Sequence, residues 1–187
     1  EKQPEKVFFS DMSLIQNTKT IKDFSKVLRL SRTAPESWSV HAPNASIENG
    51  NKVHEILSFI AHRKDLKPSV ERAVREGLIL NGEVVELIAL LKSIIDNQTL
   101  KPYFCEGLKV KNECEIILNG GKALRPDRLV FDGNKVHVFD YKTGEEREEH
   151  INQINQYKNT LSGMGFDVKE SFLVYIGKPK IKLIQVS

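Results

Sequence analysis

The strongest constraint on the fold is a run of three strand patterns, separated by turn signals, in the second half of the chain. The segments GLKVKNECEIIL, ALRPDRLVFD and KVHVFDYKT each read as a β-strand. Gly120-Gly121 separates the first two segments and Asp132-Gly133-Asn134 separates the last two, and both are hairpin turn signals. The sequence therefore predicts a β-sheet that contains these three consecutive strands.

Helical patterns precede and follow these strands. Between residues 47 and 97 three helices are predicted, the first from Val53, Ile56, Leu57 and Ile60 at i, i+3, i+4 and i+7. A fourth helix, REEHINQINQYKNTLSGMG, follows the third strand and precedes two short strands, SFLVYIG and IKLIQV. The order ααα-βββ-α-ββ predicts an α/β fold with a central mixed β-sheet, flanked by helices and crossed on one face by the fourth.

Length and composition indicate one domain with an appendage. The 187 residues divide into an N-terminal extension or connector, 1–46, with a short helical pattern at 21–30, and a domain, 47–187. No apolar run reaches the ~20 residues that span a bilayer, so we expect no membrane association. Because the chain starts without Met, we expect a fragment of a longer protein. The two cysteines, Cys105 and Cys114, favour a reducing, cytoplasmic compartment.

The net charge of +3 excludes a polycation, but it leaves nucleic acid open as a partner, because the distribution of charge matters more than its sum.

Three charged residues in the predicted strands indicate a candidate metal site. Asp140 and Lys142 lie two residues apart in one predicted strand and share a face, and Asp127 can approach them from the neighbouring strand. Two carboxylates around a lysine are costly to bury without a purpose, and hard oxygen ligands suit Mg²⁺ or Mn²⁺.

These residues belong to a recognisable pattern. RPDRLV, then FDYKTG, then QINQY resembles the PD-(D/E)XK nuclease superfamily, and within it the RecB-like nuclease domain of helicase–nucleases. That branch has an Asp, a D-x-K motif and a Q-x-x-x-Y motif, here Asp127, Asp140 with Lys142, and Gln153 with Tyr157. A G-x-x-x-H motif upstream matches Gly50 and His54. The resemblance covers roughly residues 47–176 and implies a restriction-endonuclease-like fold.

The resemblance also implies roles. His54, Asp127, Asp140 and the backbone carbonyl of Tyr141 would ligate Mg²⁺ or Mn²⁺, which would activate water for hydrolysis of a phosphodiester. Lys142 would orient that water or stabilise the transition state.

The other predicted site residues surround this core. Gln153 and Tyr157 lie at i and i+4 on one helix face and would hold the lysine or the DNA backbone. Glu113 resembles an acidic residue that many family members carry, and it is a further candidate ligand. Arg125 and Arg128, on either side of Asp127, could bind DNA phosphate or could be solvated strand residues.

Structural interpretations compete with these roles. A histidine on an amphipathic helix, such as His54, is more often structural, and Tyr157 could be a core aromatic residue. Asp132 is read as a turn residue, and His137 and His150 are read as structural. Two cysteines cannot supply the four of an iron–sulfur cluster, so none is expected.

The leading hypothesis is a metal-dependent deoxyribonuclease, an exonuclease or single-strand endonuclease, from a helicase–nuclease of DNA repair or recombination. Its helicase motor would lie elsewhere in the parent chain or on a partner subunit, because the sequence has no G-x-x-x-x-G-K-[ST] phosphate-binding loop. One alternative is an inactive nuclease-like domain that only binds DNA or a partner. Another is a standalone restriction or homing-type endonuclease.

Overall fold

A computed structural model describes residues 44–118, 121, 123–177 and 181–187 of the chain. The predicted extension and its short helical pattern at 21–30 lie outside the described residues, apart from the start of the first helix. That helix begins at Asn44, three residues before its predicted start. The described residues contain four α-helices: α1 (Asn44–Ser58), α2 (Leu66–Arg75), α3 (Val84–Ile95) and α4 (Glu148–Gly163).

Seven strands accompany these helices in the described part of the chain. They are β1 (Lys109–Asn112), β2 (Ile116–Ile117), β3 (Ala123–Leu124), β4 (Arg128–Asp132), β5 (Lys135–Lys142), β6 (Asp167–Tyr175) and β7 (Lys182–Gln185). Five of them form one mixed sheet in the order β1-β4-β5-β6-β7, and β2 pairs with β3 separately. Only β5 and β6 are parallel, and α4 connects them. The mixed α/β architecture predicted from the sequence is confirmed.

The sheet separates two hydrophobic cores, because successive strand residues point to opposite faces. On one face, Phe139 and Tyr141 of β5 pack with buried residues of α1, α2 and α3. On the other face, Val136 and Val138 pack with α4. The site therefore has a helical layer on each side of the end of β5, with α1 on one side and α4 on the other.

Two of the three predicted strands are interrupted, and this corrects the sequence prediction. The first becomes β1 and β2, because Glu113 takes a left-handed backbone conformation with φ of 50° directly after β1. The second becomes β3 and β4, since β3 pairs with β2 in a separate two-stranded sheet. The Asp132-Gly133 turn between β4 and β5 is present as predicted, with Gly133 at φ of 61°.

Arg128, the first residue of β4, points into the helical layer that contains α1. Only 1% of its surface is exposed. Its guanidinium donates hydrogen bonds to three backbone carbonyl oxygens, those of Ile60, Ala61 and Tyr103, at 2.7–2.8 Å. The guanidinium also lies over the ring of Phe104, 4.0 Å from its centroid. Arg128 thus joins the sheet to the segment that follows α1.

No helix in the described residues is long and apolar enough to cross a membrane.

Candidate functional site

The site lies where β4 begins and β5 ends. Arg128 pairs with Phe139 in the antiparallel register, which places Asp127, one residue before β4, opposite Asp140. Asp127 was predicted inside a strand, but the structure places it at a bend just ahead of one. Its Oδ2 accepts a hydrogen bond of 2.6 Å from the backbone N–H of Tyr141. This contact fixes the carboxylate against the neighbouring strand.

Asp140 and Lys142 meet on the α4 side of β5, as their spacing predicts. Asp140 is 1% exposed, and Lys142 Nζ lies 2.5 Å from its Oδ2. This buried oxygen is therefore ion-paired with Lys142, but it accepts no hydrogen bond of regular geometry from any described residue. A buried carboxylate oxygen without a hydrogen bond is costly, and such atoms call for a functional explanation.

The Q-x-x-x-Y residues connect α4 to the lysine. Lys142 Nζ donates to Gln153 Oε1 at 2.9 Å, and Gln153 Nε2 donates to Tyr157 Oη at 2.7 Å. Tyr157 Oη in turn donates to the carbonyl oxygen of Arg125 at 3.2 Å. The ring of Tyr157 is buried against the α4 side of the sheet, so it packs in the core and also holds the chain of hydrogen bonds. Lys142 therefore has a fixed position between a carboxylate and an amide.

His54 reaches the same site from α1. Its Nδ1 lies 3.7 Å from Asp127 Oδ2, and its ring stands edge-on to that of Tyr141, 6.1 Å between centroids. Burial lowers the pKa of His54, and the positive charge of Lys142 lowers it further. An imidazole that is neutral at pH 7 is the form that can bind a metal ion.

Burial and mutual repulsion disfavour the charged forms of Asp127 and Asp140. Burial raises the pKa of Asp127 to about 8, and repulsion from Asp140 adds to the shift. Burial also raises the pKa of Asp140, against the opposing effect of Lys142. A cation placed between the two carboxylates would relieve both shifts.

Glu113 and Arg125 lie at the edge of this group. Arg125 Nε is 2.8 Å from Glu113 Oε2, and the N–H of Glu113 donates to the carbonyl oxygen of Asp127 at 2.9 Å. Burial raises the pKa of Glu113, Arg125 lowers it, and the charge of Asp140 raises it. Glu113 therefore lies within electrostatic reach of the buried acids. The side chain of Arg125 is 63% exposed and accessible to a ligand.

The two predicted phosphate-binding arginines differ in placement. Arg125 is at the surface, whereas Arg128 is buried and donates to backbone carbonyls. A phosphate group cannot reach the Arg128 guanidinium in this arrangement. Both arginines flank Asp127 in the sequence, and only the fold shows that one is exposed and the other is buried.

Sequence reasoning assigned His150 a structural role, but the structure places it beside the site. It lies in the first turn of α4, and its Nδ1 is 2.8 Å from Tyr175 Oη. The charges of Lys142 and Asp140 both act on its pKa, which burial lowers. The available signal was its position three residues before Gln153, on the same face of the helix.

Metal binding is not preformed. Within the described part of the chain, no three His, Cys, Asp or Glu side chains are grouped so that they could hold a metal ion as they stand. The donor chemistry nevertheless suits a hard cation, because a buried carboxylate, a half-buried carboxylate and a neutral imidazole lie at one end of the sheet.

Comparisons with known proteins give no family. No protein-family model matches the chain, and no curated protein matches it significantly. Nine chains of solved structures match it. One of them, described as "Crystal structure of SSO0001", is 19% identical, with 76% of each chain covered and a TM-score of 0.31. That score is too low to carry an argument.

Gly50 lets α1 approach the end of β5. A Cβ at this position would lie 2.5 Å from Thr143 Oγ1, directly after Lys142. Gly50→Ala is therefore expected to lower the free energy of unfolding by about 1–3 kcal/mol, through forced movement of the helix or the strand end. Urea unfolding measures the change. Thr143→Ala in the same chain should restore most of the loss. Gly82→Ala, where a Cβ meets nothing within 4 Å, should leave stability nearly unchanged.

The pH dependence of the metal-free protein tests the charge on Asp127. Its pKa is about 8 in the folded state against an ordinary 3.8, so between these values the unfolded state has lost a proton that the folded state retains. The stabilisation that this group contributes to the folded state is complete below pH 3.8 and is lost as pH rises through about 8. The slope is at most about 1.4 kcal/mol per pH unit.

Asp127→Asn removes this titration and keeps an acceptor for the Tyr141 N–H. In EDTA, the variant is expected to gain stability relative to the parent as pH rises from 5 to 8, and to show a constant difference above that range. Urea midpoints across this range measure the difference. A difference that is the same at pH 5 and pH 8 would contradict the raised pKa.

Proposed function

We propose that the chain is a Mg²⁺- or Mn²⁺-dependent deoxyribonuclease domain of the RecB-like PD-(D/E)XK type, with a restriction-endonuclease-like fold. The observation that carries the proposal is the position of Lys142, which contacts Asp140 and Gln153 while Asp127 lies opposite in the register. A lysine between a buried carboxylate and a helix amide, near a second, half-buried carboxylate, suits catalysis at a phosphodiester better than it suits stability.

The order of the elements supports the same proposal. The antiparallel pair β4–β5 carries the Asp and the D-x-K residues, and the crossover helix α4 brings Gln153 and Tyr157 back over them. Each motif residue that the resemblance singles out thus reaches one end of one sheet. Chance occurrence of Asp and D-x-K in a sequence would not require the Gln of the Gln-x-x-x-Tyr motif to contact that lysine, or the Tyr to contact that Gln.

The residues that would hold the metal are His54, Asp127, Asp140 and the carbonyl of Tyr141. The fit rests on the raised pKa values of the two carboxylates and on the buried Asp140 oxygen that accepts no hydrogen bond from the described residues. Lys142 now supplies the positive charge beside that oxygen, so metal binding requires the ammonium to give up part of this contact. When bound, Mg²⁺ or Mn²⁺ would acidify a water molecule and neutralise charge on the scissile phosphate.

The side chains of the protein complete the chemistry. Lys142, held by Gln153, orients the attacking water or donates to the phosphoryl oxygen on which negative charge develops. Tyr157 fixes Gln153, because its hydroxyl accepts from the amide and is itself anchored on the Arg125 carbonyl. The exposed guanidinium of Arg125 can contact the DNA backbone, whereas Glu113 would act on the metal through its charge. In this proposal the domain serves a cytoplasmic helicase–nuclease that processes DNA ends in repair or recombination.

Cleavage of linear DNA tests the proposal. The purified chain is expected to degrade a labelled single strand or a blunt duplex with Mg²⁺ or Mn²⁺, and to leave it intact in EDTA. Asp140→Asn should remove the activity, whereas Asp132→Asn, at the exposed end of β4, should retain it. Absence of degradation by the folded parent protein in either metal would refute the proposal.

A second candidate is a nuclease-like domain that binds DNA or a protein partner without cleavage. The observation in its favour is that no three potential ligand side chains in the described residues are grouped for a metal. Metal titration separates the two candidates, since a ligand that binds the folded state alone raises its melting temperature. A shift with Mn²⁺ in the parent that is lost in Asp140→Asn supports the nuclease, and no shift supports the binding domain.

A further inference from the structure

His150 and Tyr175 form a second contact pair beside Lys142. His150 lies one helical turn before Gln153 on α4, and Tyr175 pairs directly with Lys142 in the parallel register of β5 and β6. Paired residues of neighbouring strands point to the same face of a sheet, so Tyr175 stands next to the lysine on the α4 side. The hydrogen bond of 2.8 Å between His150 Nδ1 and Tyr175 Oη therefore joins α4 to β6 at the edge of the proposed active site.

The pair orients the imidazole. Tyr175 is buried, whereas His150 is partly exposed, so the phenol is the fixed partner and the imidazole is the accessible one. A phenol O–H that donates to Nδ1 leaves the single proton of a neutral imidazole on Nε2. Burial and Lys142 lower the pKa of His150 while Asp140 opposes them, which keeps the ring neutral near pH 7. With the phenol O–H as the donor to Nδ1, the ring is an oriented, uncharged N–H donor through Nε2.

This donor lies on the β6 side of Lys142, away from Asp127. With Nδ1 engaged by the phenol proton and Nε2 protonated, neither ring nitrogen offers a lone pair to a metal ion, so His150 does not compete with the carboxylates for it. It also contacts a phosphate without the counterion release that accompanies binding by Lys or Arg. We propose that His150, oriented by Tyr175, binds a phosphate of the nucleic acid adjacent to the one that is cleaved. His150 is then a substrate-binding residue and Tyr175 a positioning residue; this inference rests on the proposed nuclease function.

Steady-state cleavage of a labelled single strand by the full chain with Mn²⁺ tests the inference. His150→Ala is expected to raise KM about tenfold, the equivalent of one lost hydrogen bond, and to change kcat less than about threefold. His150→Asn retains a side-chain N–H donor and should recover part of the KM. Tyr175→Phe should raise KM by a smaller factor, and should add nothing in the His150→Ala background, because both changes act on one contact.

Methylphosphonate linkages locate the contact. Strands that carry one uncharged linkage at successive positions should show, with the parent protein, a raised KM at one phosphate beside the cleaved one. His150→Ala should lose sensitivity at that linkage alone. Ile151→Ala, the exposed neighbour on α4, should keep the parental profile.

The outcomes distinguish this inference from the proposed function. Parental KM, kcat and linkage profile in His150→Ala, with only a lower melting temperature, would show that the pair is structural and would overturn the inference alone. Failure of the parent protein to cleave in Mg²⁺ or Mn²⁺ would overturn the proposed function, and the inference with it.

Discussion

Lys142→Met is expected to lower the rate of metal-dependent DNA cleavage by about 10³-fold, because it removes the charge that would orient the water or stabilise the transition state. The change replaces an ammonium that touches Asp140 Oδ2 and Gln153 Oε1 with an apolar chain of similar length. Asp140 then lacks its nearest cation, so its pKa rises further and metal affinity also changes. Single-turnover cleavage at saturating Mn²⁺ separates the catalytic loss from weaker metal binding.

Lys135→Met is the matched control for this experiment. Lys135 begins the same strand, is exposed, and lies at the end of β5 opposite Lys142. The Lys135→Met variant should retain parental activity. That result would show that loss of a lysine charge on β5 is not sufficient to lower the rate of cleavage. Parental rates in Lys142→Met would contradict the assignment of this residue to catalysis.

Arg128→Met is expected to produce the largest loss of stability, about 3 kcal/mol or more in the free energy of unfolding. It removes the donor of the Ala61 and Tyr103 carbonyl oxygens and one of the two donors of the Ile60 oxygen, and each buried unsatisfied group costs about 1–3 kcal/mol. Arg128→Lys should recover only a fraction, because an ammonium cannot reproduce the planar fork of a guanidinium.

Urea unfolding monitored by circular dichroism measures this effect. Arg125→Met is the control, since its side chain is 63% exposed and its ion pair with Glu113 is near the surface. Its cost should stay below about 0.5 kcal/mol. Equal losses in the two variants would show that the buried hydrogen bonds of Arg128 contribute little.

Local patterns were enough to predict most of the architecture. The apolar spacing of α1 and the Asp132-Gly133 turn are local signals, and both appear in the structure. The same holds for Gln153 and Tyr157, whose i, i+4 spacing brings the two side chains together, with Gln153 in contact with the lysine. Periodicity and turn chemistry act over a few residues, so a single sequence contains them in full.

Long-range contacts were not predictable in the same way. Arg128 is buried because carbonyl oxygens 67 and 68 positions away need a donor, and no local pattern encodes that need. The His150–Tyr175 contact depends on the parallel register of β5 and β6, which the sequence does not specify. The interruption at Glu113 depends on a backbone conformation that non-glycine residues rarely adopt.

Arg128 directly follows Asp127, so partial unfolding that breaks the Arg128 contacts also disrupts the site. Asp140, Lys142, Gln153 and Tyr157 come from one continuous stretch of chain, whereas His54 arrives from a separate helical layer. Partial opening that detaches this helical layer would first break the Arg128 contacts and move His54 away. The β4–β5 hairpin would stay paired, and α4 would stay packed on it. Amides of α1 should then exchange with solvent deuterium faster than those of β5. The affinity for the proposed metal would fall as that open state becomes more populated, because His54 is lost while the other proposed ligands stay in place.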